Sequence, residues 1–254
     1  MRRYWILKAQ INDSELVQFK DEQYHHIFDV CRQQVGQHFE VITEDSKAYL
    51  VKVIEIQKKM AIAKIKEERV IQKLNTPHIH ILLSLPRYAV IDSTIERAVE
   101  MGVTSLTPFV SDFSFIRKIK ELPEGKFERW NKIIVSATQQ CGRGELMKLN
   151  SLVTLDQALE NANLNDTNWC LFAYEGKIHL PISEQIKNLR QQFTNLPQNI
   201  FILVGSEGGF SLPEVQKIEN LGLRPVTLGQ QILRVETACL TLVSVLKYEF
   251  GLMI

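Results

Sequence analysis

From Gly205 to Phe210 the chain reads GSEGGF, and from Leu228 to Glu236 it reads LGQQILRVE. In the first stretch Gly205, Gly208 and Gly209 surround one carboxylate, Glu207, and glycine lets a second backbone or a ligand approach closely. Ser211-Leu212-Pro213-Glu214 follows in the S-x-x-E form of a capping box, so the free N–H groups of a helix start face the loop. Such a loop cradles a ligand, or serves simply as a strand-to-helix turn. The second stretch places Ile232 and Leu233 between a glycine turn, Leu228-Gly229, and two charged residues, Arg234 and Glu236. Aliphatic loop residues can wall a flat aromatic ligand while charges act at its edge. The plainer alternative makes Ile232 and Leu233 core and gives Glu236 to a helix N-terminus.

Two phosphate-binding patterns are absent. GSEGGF lacks the Lys-Ser/Thr ending of a P-loop, and its glycines are not spaced G-x-G-x-x-G, which also disfavours a nicotinamide oxidoreductase. A buried Glu207 would repel a pyrophosphate. A neutral or cationic ligand without phosphates fits better, and S-adenosylmethionine, with its sulfonium, ammonium and adenosine, has that character.

The elements that must hold these residues fall into two kinds of pattern. Residues 1–70 show short apolar and polar alternations at 4–7, 38–43, 48–56 and 60–65, with a helical stretch at 22–32, and predict a small β-rich domain. From His78 onward, strands alternate with helical patterns at 124–140, 182–192, after Ser211 and at 236–250. That rhythm over residues 71–254 predicts an α/β domain with a mostly parallel sheet covered by helices. The polar segment 66–77 marks the boundary. Ligands of such sheets lie beyond the carboxyl ends of strands, which singles out Phe172, Ala173, Tyr174 and Glu175 of FAYEG together with the two stretches above. The helix at 236–250 is apolar on more than the one stripe a surface helix needs, which predicts burial on two sides.

With 254 residues, 45% hydrophobic and 23% charged, the chain has the composition of a globular protein and not of a disordered one. Cysteines at 31, 141, 170 and 239 form no C-x-x-C pair, so reduced thiols, no metal and a cytoplasmic location are expected. No segment has the length of a membrane span or signal peptide, so no membrane partner is expected. The net charge of +1 conceals a positive excess in residues 1–150, which permits a nucleic-acid partner without requiring one. The RKIK run from Arg117 to Lys120 is an RNA contact or a solvated surface run, and His25 and His26 are expected on a helix surface.

GSEGGF, LRVETA and the upstream FAYEG closely resemble the SPOUT methyltransferases, specifically the bacterial 16S ribosomal RNA uridine-N3 methyltransferase family. That family usually has GPEGGF and LGxRILRxETA, so this chain differs at Ser206 and Gln231. The resemblance extends to Arg3-Tyr4, Cys31-Arg32, Glu96-Arg97-Ala98, Arg129-Trp130 and Gln139 to Arg143, and so covers essentially the whole chain. Where the family often has a Thr/Ser-x-Arg-Ser run, this chain has Ser111-Asp112-Phe113-Ser114, and where proline is common it has Glu145-Leu146-Met147.

The resemblance implies a C-terminal SPOUT domain with a deep trefoil knot, an N-terminal PUA-like β-barrel gripping RNA, and a homodimer. It also implies S-adenosylmethionine as cofactor and 16S ribosomal RNA or the small ribosomal subunit as partner. Three loops must then converge on the cofactor, with Ile232 and Leu233 against its adenine. Arg234 is the leading candidate to stabilise charge on the uracil carbonyls. Glu236 or Glu207 takes the N3 proton, orients Arg234, or merely forms a salt bridge. RNA contacts are expected from Arg3, Arg32 and Arg143. A SPOUT enzyme acting on another base or a ribose 2′-hydroxyl, or a non-catalytic RNA-binding relative, would share these features.

Overall fold

The protein is described by a computed structural model over residues 1–176, 180–192 and 196–253. Its contacts divide it into two compact units, Met1–Lys73 with Val135–Leu146, and Leu74–Ile134 with Met147–Ile254.

In the first unit β1 (Arg3–Trp5), β2 (Leu16–Lys20), β3 (His38–Ile42), β4 (Lys47–Gln57) and β5 (Met60–Val70) form a five-stranded sheet in the order β1-β3-β4-β5-β2. Only the β1–β3 pairing is parallel. The strand period of two turns Val51 and Val53 of β4, Ala61 and Ala63 of β5, and Phe39 and Val41 of β3 into one core,. Phe19 and Phe39 meet there with ring centroids 5.6 Å apart.

Strand β2 is absent from the pattern reading, although it supplies Val17 and Phe19, both fully buried. Its outward Gln18 and Lys20 and its direct run into α1 (Asp21–Tyr24) and the π-helical stretch His25–Val30 obscure its period. β5 likewise continues to Val70 because residues 66–70, all exposed, are held by backbone pairing with β4 and not by burial. His25 and His26 are exposed on that helical stretch, as expected.

The second unit contains β6 (His78–Ser84), β7 (Ser105–Val110), β8 (Lys148–Leu149), β9 (Val153–Thr154), β10 (Asn168–Ala173), β11 (Leu180–Pro181), β12 (Asn199–Val204) and β13 (Pro225–Thr227). Their order is β11-β13-β10-β12-β6-β7-β8, with β9 beside β7, and every pairing is parallel. Between the strands run α2 (Tyr88–Glu100), α3 (Lys126–Cys141), α4 (Leu155–Ala162), α5 (Ile182–Gln192) and α6 (Leu212–Asn220), and α7 (Val235–Glu249) follows the last strand. The first turns of α3 group with this unit and its residues from Val135 with the first.

Both faces of the sheet are covered, which explains the continuous apolar strands. Leu82, Phe109, Phe172 and Leu203 pack with Leu159 of α4 and Val215 and Ile218 of α6. Ile81 and Leu83, which flank Leu82 and point the other way, are buried as well,. α7 packs on β12 and α2, burying Val235, Cys239, Leu242, Val243 and Leu246. Cys170 and Cys239, both buried, have thiols pushed up to about 12 by desolvation, which keeps them protonated.

One buried group makes stability depend on pH. His80 lies between Ser105 Oγ at 2.7 Å and Asn199 Oδ1 at 3.0 Å, stacked on Phe201 with centroids 4.7 Å apart. Burial lowers its pKa; the Asn199 hydrogen bond opposes this, while His78 and Lys148 reinforce it. The folded state therefore holds this proton less readily than the unfolded state, and stability falls as pH drops through about 6.5. Thermal melts from pH 7 to pH 5 are expected to show a decline that is shallower in His80→Gln. Equal slopes in the two proteins would assign the decline to other groups.

Candidate active site

β13, β10 and β12 are adjacent and parallel, so their carboxyl ends lie along one edge and the loops that follow them stand side by side. Between these loops is a cleft of about 670 Å³, a size suited to a small-molecule ligand. Ala173, Tyr174 and Glu175 line it from the first loop and Gly205, Ser206 and Gly209 from the second. The third contributes Leu228, Gly229, Ile232 and Leu233.

Two glycines of GSEGGF have definite reasons. A Cβ on Gly205 would lie 2.8 Å from Gly209 Cα, because the Gly209 N–H closes a tight turn by donating to Ser206 O at 2.9 Å. Gly209 itself has φ +68°, and a Cβ there would lie 3.2 Å from Glu175 Oε1. The loop then enters α6 through the predicted capping box, with Ser211 Oγ and Glu214 bonded reciprocally to each other's backbone N–H groups.

The other two loops are also braced. Tyr174 stacks on Phe172 with centroids 5.8 Å apart, and a Cβ on Gly176 would collide with the tyrosine ring. Thr227 Oγ1 donates to Gly229 O at 2.8 Å and accepts from Gly229 N–H at 3.2 Å. Beyond that brace Ile232 stays 79% exposed, an aliphatic side chain held in water at the rim of the cleft.

Among the described residues lining the cleft, Glu175 is the only charged one. Among the described residues the lining combines apolar side chains and backbone with uncharged polar side chains such as Ser206, Thr227 and Gln231 and a single carboxylate, an arrangement that suits a cationic ligand better than a phosphate.

Three expected ligand contacts stand elsewhere. Phe172 is fully buried in the core beneath Tyr174. Glu207 is exposed, not buried, and its Oε1 accepts the Arg87 N–H at 3.1 Å. Gly208 faces Phe113, whose Cβ would lie 2.8 Å from a Cβ on that glycine. The loop turns so tightly that its middle residues point away from the cleft. In exchange the cleft gains Pro181, Ile182 and Ser183 at the β11–α5 junction and Val235 and Ala238 of α7. No pattern in the sequence marks the first three, since a two-residue strand has no measurable period.

Arg234 is exposed at the N-cap of α7, between the lining residues Leu233 and Val235, and Glu236 is half-buried in the first turn. The arginines expected to meet RNA belong to the first unit. Arg3 is engaged by Glu40 at 3.0 Å and by Gln140 O at 3.3 Å. Arg32 is exposed with φ +55°, and Arg143 is half-buried, its pKa lowered mainly by desolvation. Among the described residues no cluster of His, Cys, Asp and Glu could hold a metal, and no helix is long and apolar enough to cross a membrane.

The RNA methyltransferase domain family matches residues 72–247, and the RNA methyltransferase PUA domain matches residues 19–66. The ribosomal RNA small subunit methyltransferase E of Buchnera aphidicola is 30% identical over 246 residues, covering 94% of this chain and 92% of that protein. Its Bacillus subtilis counterpart is 25% identical, covering 100% and 98%. The ribosomal RNA small subunit methyltransferase E of Neisseria gonorrhoeae, solved bound to S-adenosyl methionine, superposes with a TM-score of 0.80 at 25% identity, over 98% of each chain. With a catalytic-domain match spanning most of its length and a PUA match ahead of it, the chain belongs to the family of PUA-bearing RNA methyltransferases that includes these ribosomal RNA small subunit methyltransferases E.

Proposed function

We propose that the protein transfers a methyl group from S-adenosylmethionine to N3 of a uridine in 16S ribosomal RNA. The observation that carries this reading is the cleft itself: three adjacent parallel strand ends meet around a space whose only charged lining side chain, among the described residues, is the Glu175 carboxylate. Relatives named as ribosomal RNA small subunit methyltransferases, one of them solved with S-adenosyl methionine, supply the substrate class.

The cofactor, when bound, supplies an electrophilic methyl group on a sulfonium. Glu175 would offset its positive charge, Leu228, Ile232 and Leu233 would wall the adenine, and the Gly205–Gly209 turn would allow a close backbone approach. At the rim Arg234 donates to the uracil carbonyl oxygens, whose charge grows as N3 loses its proton. Glu236, two residues on in the first turn of α7, receives that proton or steadies Arg234; Glu207 is less suited because its carboxylate already accepts the Arg87 N–H. The N3–methyl bond forms as the sulfonium–methyl bond breaks, leaving S-adenosylhomocysteine.

Residues 1–70 act as the RNA-gripping domain in this reading, with Arg3, Arg32 and Arg143 toward the RNA. Residues 71–254 carry the knotted catalytic domain. A cytoplasmic homodimer completes it, α7 supplying part of the interface: Leu240 and Val245 are half-buried and Tyr248 is 76% exposed.

Purified protein incubated with labelled S-adenosylmethionine and small ribosomal subunits lacking the modification is expected to yield 3-methyluridine on nucleoside mass analysis. A ribose-methylated or differently methylated nucleoside would replace the proposed acceptor. No transfer and no cofactor binding would refute the reading, and light scattering showing an active monomer would remove the dimer from it.

A further inference from the structure

The segment after β7 alternates sharply: Ser111, Ser114 and Ile116 are buried, while Phe113, Phe115 and Arg117 are exposed. Phe113 and Phe115 remain 45% and 50% accessible. They are not loose. The Ser111 N–H donates to Ser114 Oγ at 3.0 Å, and that hydroxyl lies 2.8 Å from Ser111 O and 2.5 Å from Ile116 O. The Phe115 N–H donates to Leu85 O at 2.7 Å, and the Ser84 and Ser111 hydroxyls are 2.6 Å apart. The loop is thus anchored to two strand ends while it holds two aromatic rings in water.

These rings stand beside the cleft. Ser206, which lines it, donates its hydroxyl to Phe113 O at 2.6 Å. Phe115 meets Tyr88 edge-on at 5.0 Å, and Lys126 Nζ lies 3.7 Å from the Tyr88 centroid. Arg117, Lys118 and Lys120 are exposed on the same segment. Its carboxylates serve the fold: Asp112 accepts from Ser211 Oγ at 2.5 Å, and Glu121 accepts the Arg117 and Lys118 N–H groups at 3.0 and 3.3 Å.

Resting on the RNA-methylation reading, we propose that Phe113 and Phe115 form a stacking platform for unpaired RNA bases flanking the methylated nucleotide, with Arg117, Lys118 and Lys120 on their phosphates. Single-stranded RNA is bound by aromatic faces under its bases and cations along its backbone, and this segment interleaves the two on a fixed support. A second copy of the chain is the weaker occupant, since exposed lysines are depleted where protein surfaces bury one another.

The test uses the full-length protein, decauridylate, and an abasic ribose-phosphate oligomer of the same length. Wild type is expected to prefer decauridylate by at least about fivefold, the effect of one stacked base. Phe113→Leu, which keeps bulk but has no ring, is expected to lose that preference; Phe113→Tyr keeps it, and S-adenosylmethionine affinity is the same in all three. No preference in wild type, or an undiminished one in Phe113→Leu, overturns the platform. So does a change of oligomeric state in Phe113→Leu, which would assign the face to a second copy. If wild type shows the preference and Phe113→Leu loses it, yet wild type transfers no methyl to small ribosomal subunits, the platform stands and the proposed reaction falls.

Discussion

Arg234→Ala is expected to lower kcat by about 100- to 1,000-fold, the loss on removing one donor from a developing oxyanion, while the Kd for S-adenosylmethionine changes by less than about twofold. The structure makes this a clean substitution. Arg234 is exposed, and as N-cap of α7 it makes no side-chain capping bond; its backbone carbonyl, which accepts the Ala238 N–H at 2.8 Å, is untouched. Because the guanidinium is asked to act on charge that appears only as N3 is deprotonated, its loss belongs in turnover and not in binding. Arg234→Lys keeps the charge without the planar fork and should fall between the two. Single-turnover rates at saturating cofactor, with Kd from calorimetry, separate the outcomes. Weakened cofactor binding at unchanged turnover would make Arg234 a cofactor clamp.

The sequence exposes the frame of this site more readily than its interior. Strand ends at Ala173, Val204 and Thr227 are legible because parallel strands buried on both faces are apolar runs, and loops at their carboxyl ends are where ligands bind. Adjacency of those three strands is another matter. β13-β10-β12 is a nonlocal order, and no local pattern encodes it.

The same limit applies to Ser206. In sequence it differs from the proline usual in the resembling family, and Ser111-Asp112-Phe113-Ser114 differs separately. In the fold the two meet, since Ser206 Oγ donates to Phe113 O at 2.6 Å, a bond proline cannot make. Helix α3 is a third case. It reads as one amphipathic run, yet Gln139 accepts the Trp5 N–H at 3.0 Å and Gly144, beyond its end, accepts from Ser46 Oγ at 3.2 Å. Those contacts place residues 135–146 with the first unit, and periodicity records burial without naming the partner. Glu207 differs from expectation for a local reason: a carboxylate flanked by glycines looks enclosed, but the turn that closes between Ser206 and Gly209 directs it outward to Arg87.

Gly209→Val is expected to weaken S-adenosylmethionine binding at least tenfold, about 1.4 kcal/mol, through two separable effects. The first is backbone strain. Gly209 has φ +68°, where a β-branched residue is a genuine outlier costing roughly 1–2 kcal/mol, and the turn that shapes the cleft must relax to accept it. The second is displacement. The new Cβ would stand 3.2 Å from Glu175 Oε1, and the methyl groups beyond it would push aside the only charged side chain described in the cleft lining. Gly222→Val isolates the first effect. Gly222, just after α6, has φ +81° and nothing within 4 Å of an added Cβ, so it incurs comparable strain away from the cleft. Both variants should melt earlier than wild type, but only Gly209→Val should lose affinity for S-adenosylmethionine and S-adenosylhomocysteine in calorimetry. Unchanged affinity in Gly209→Val would remove the GSEGGF loop from the site, and an equal loss in Gly222→Val would attribute the effect to stability alone. Because a carboxylate attracts a sulfonium but not a neutral thioether, displacing Glu175 should cost more affinity for S-adenosylmethionine than for its demethylated product.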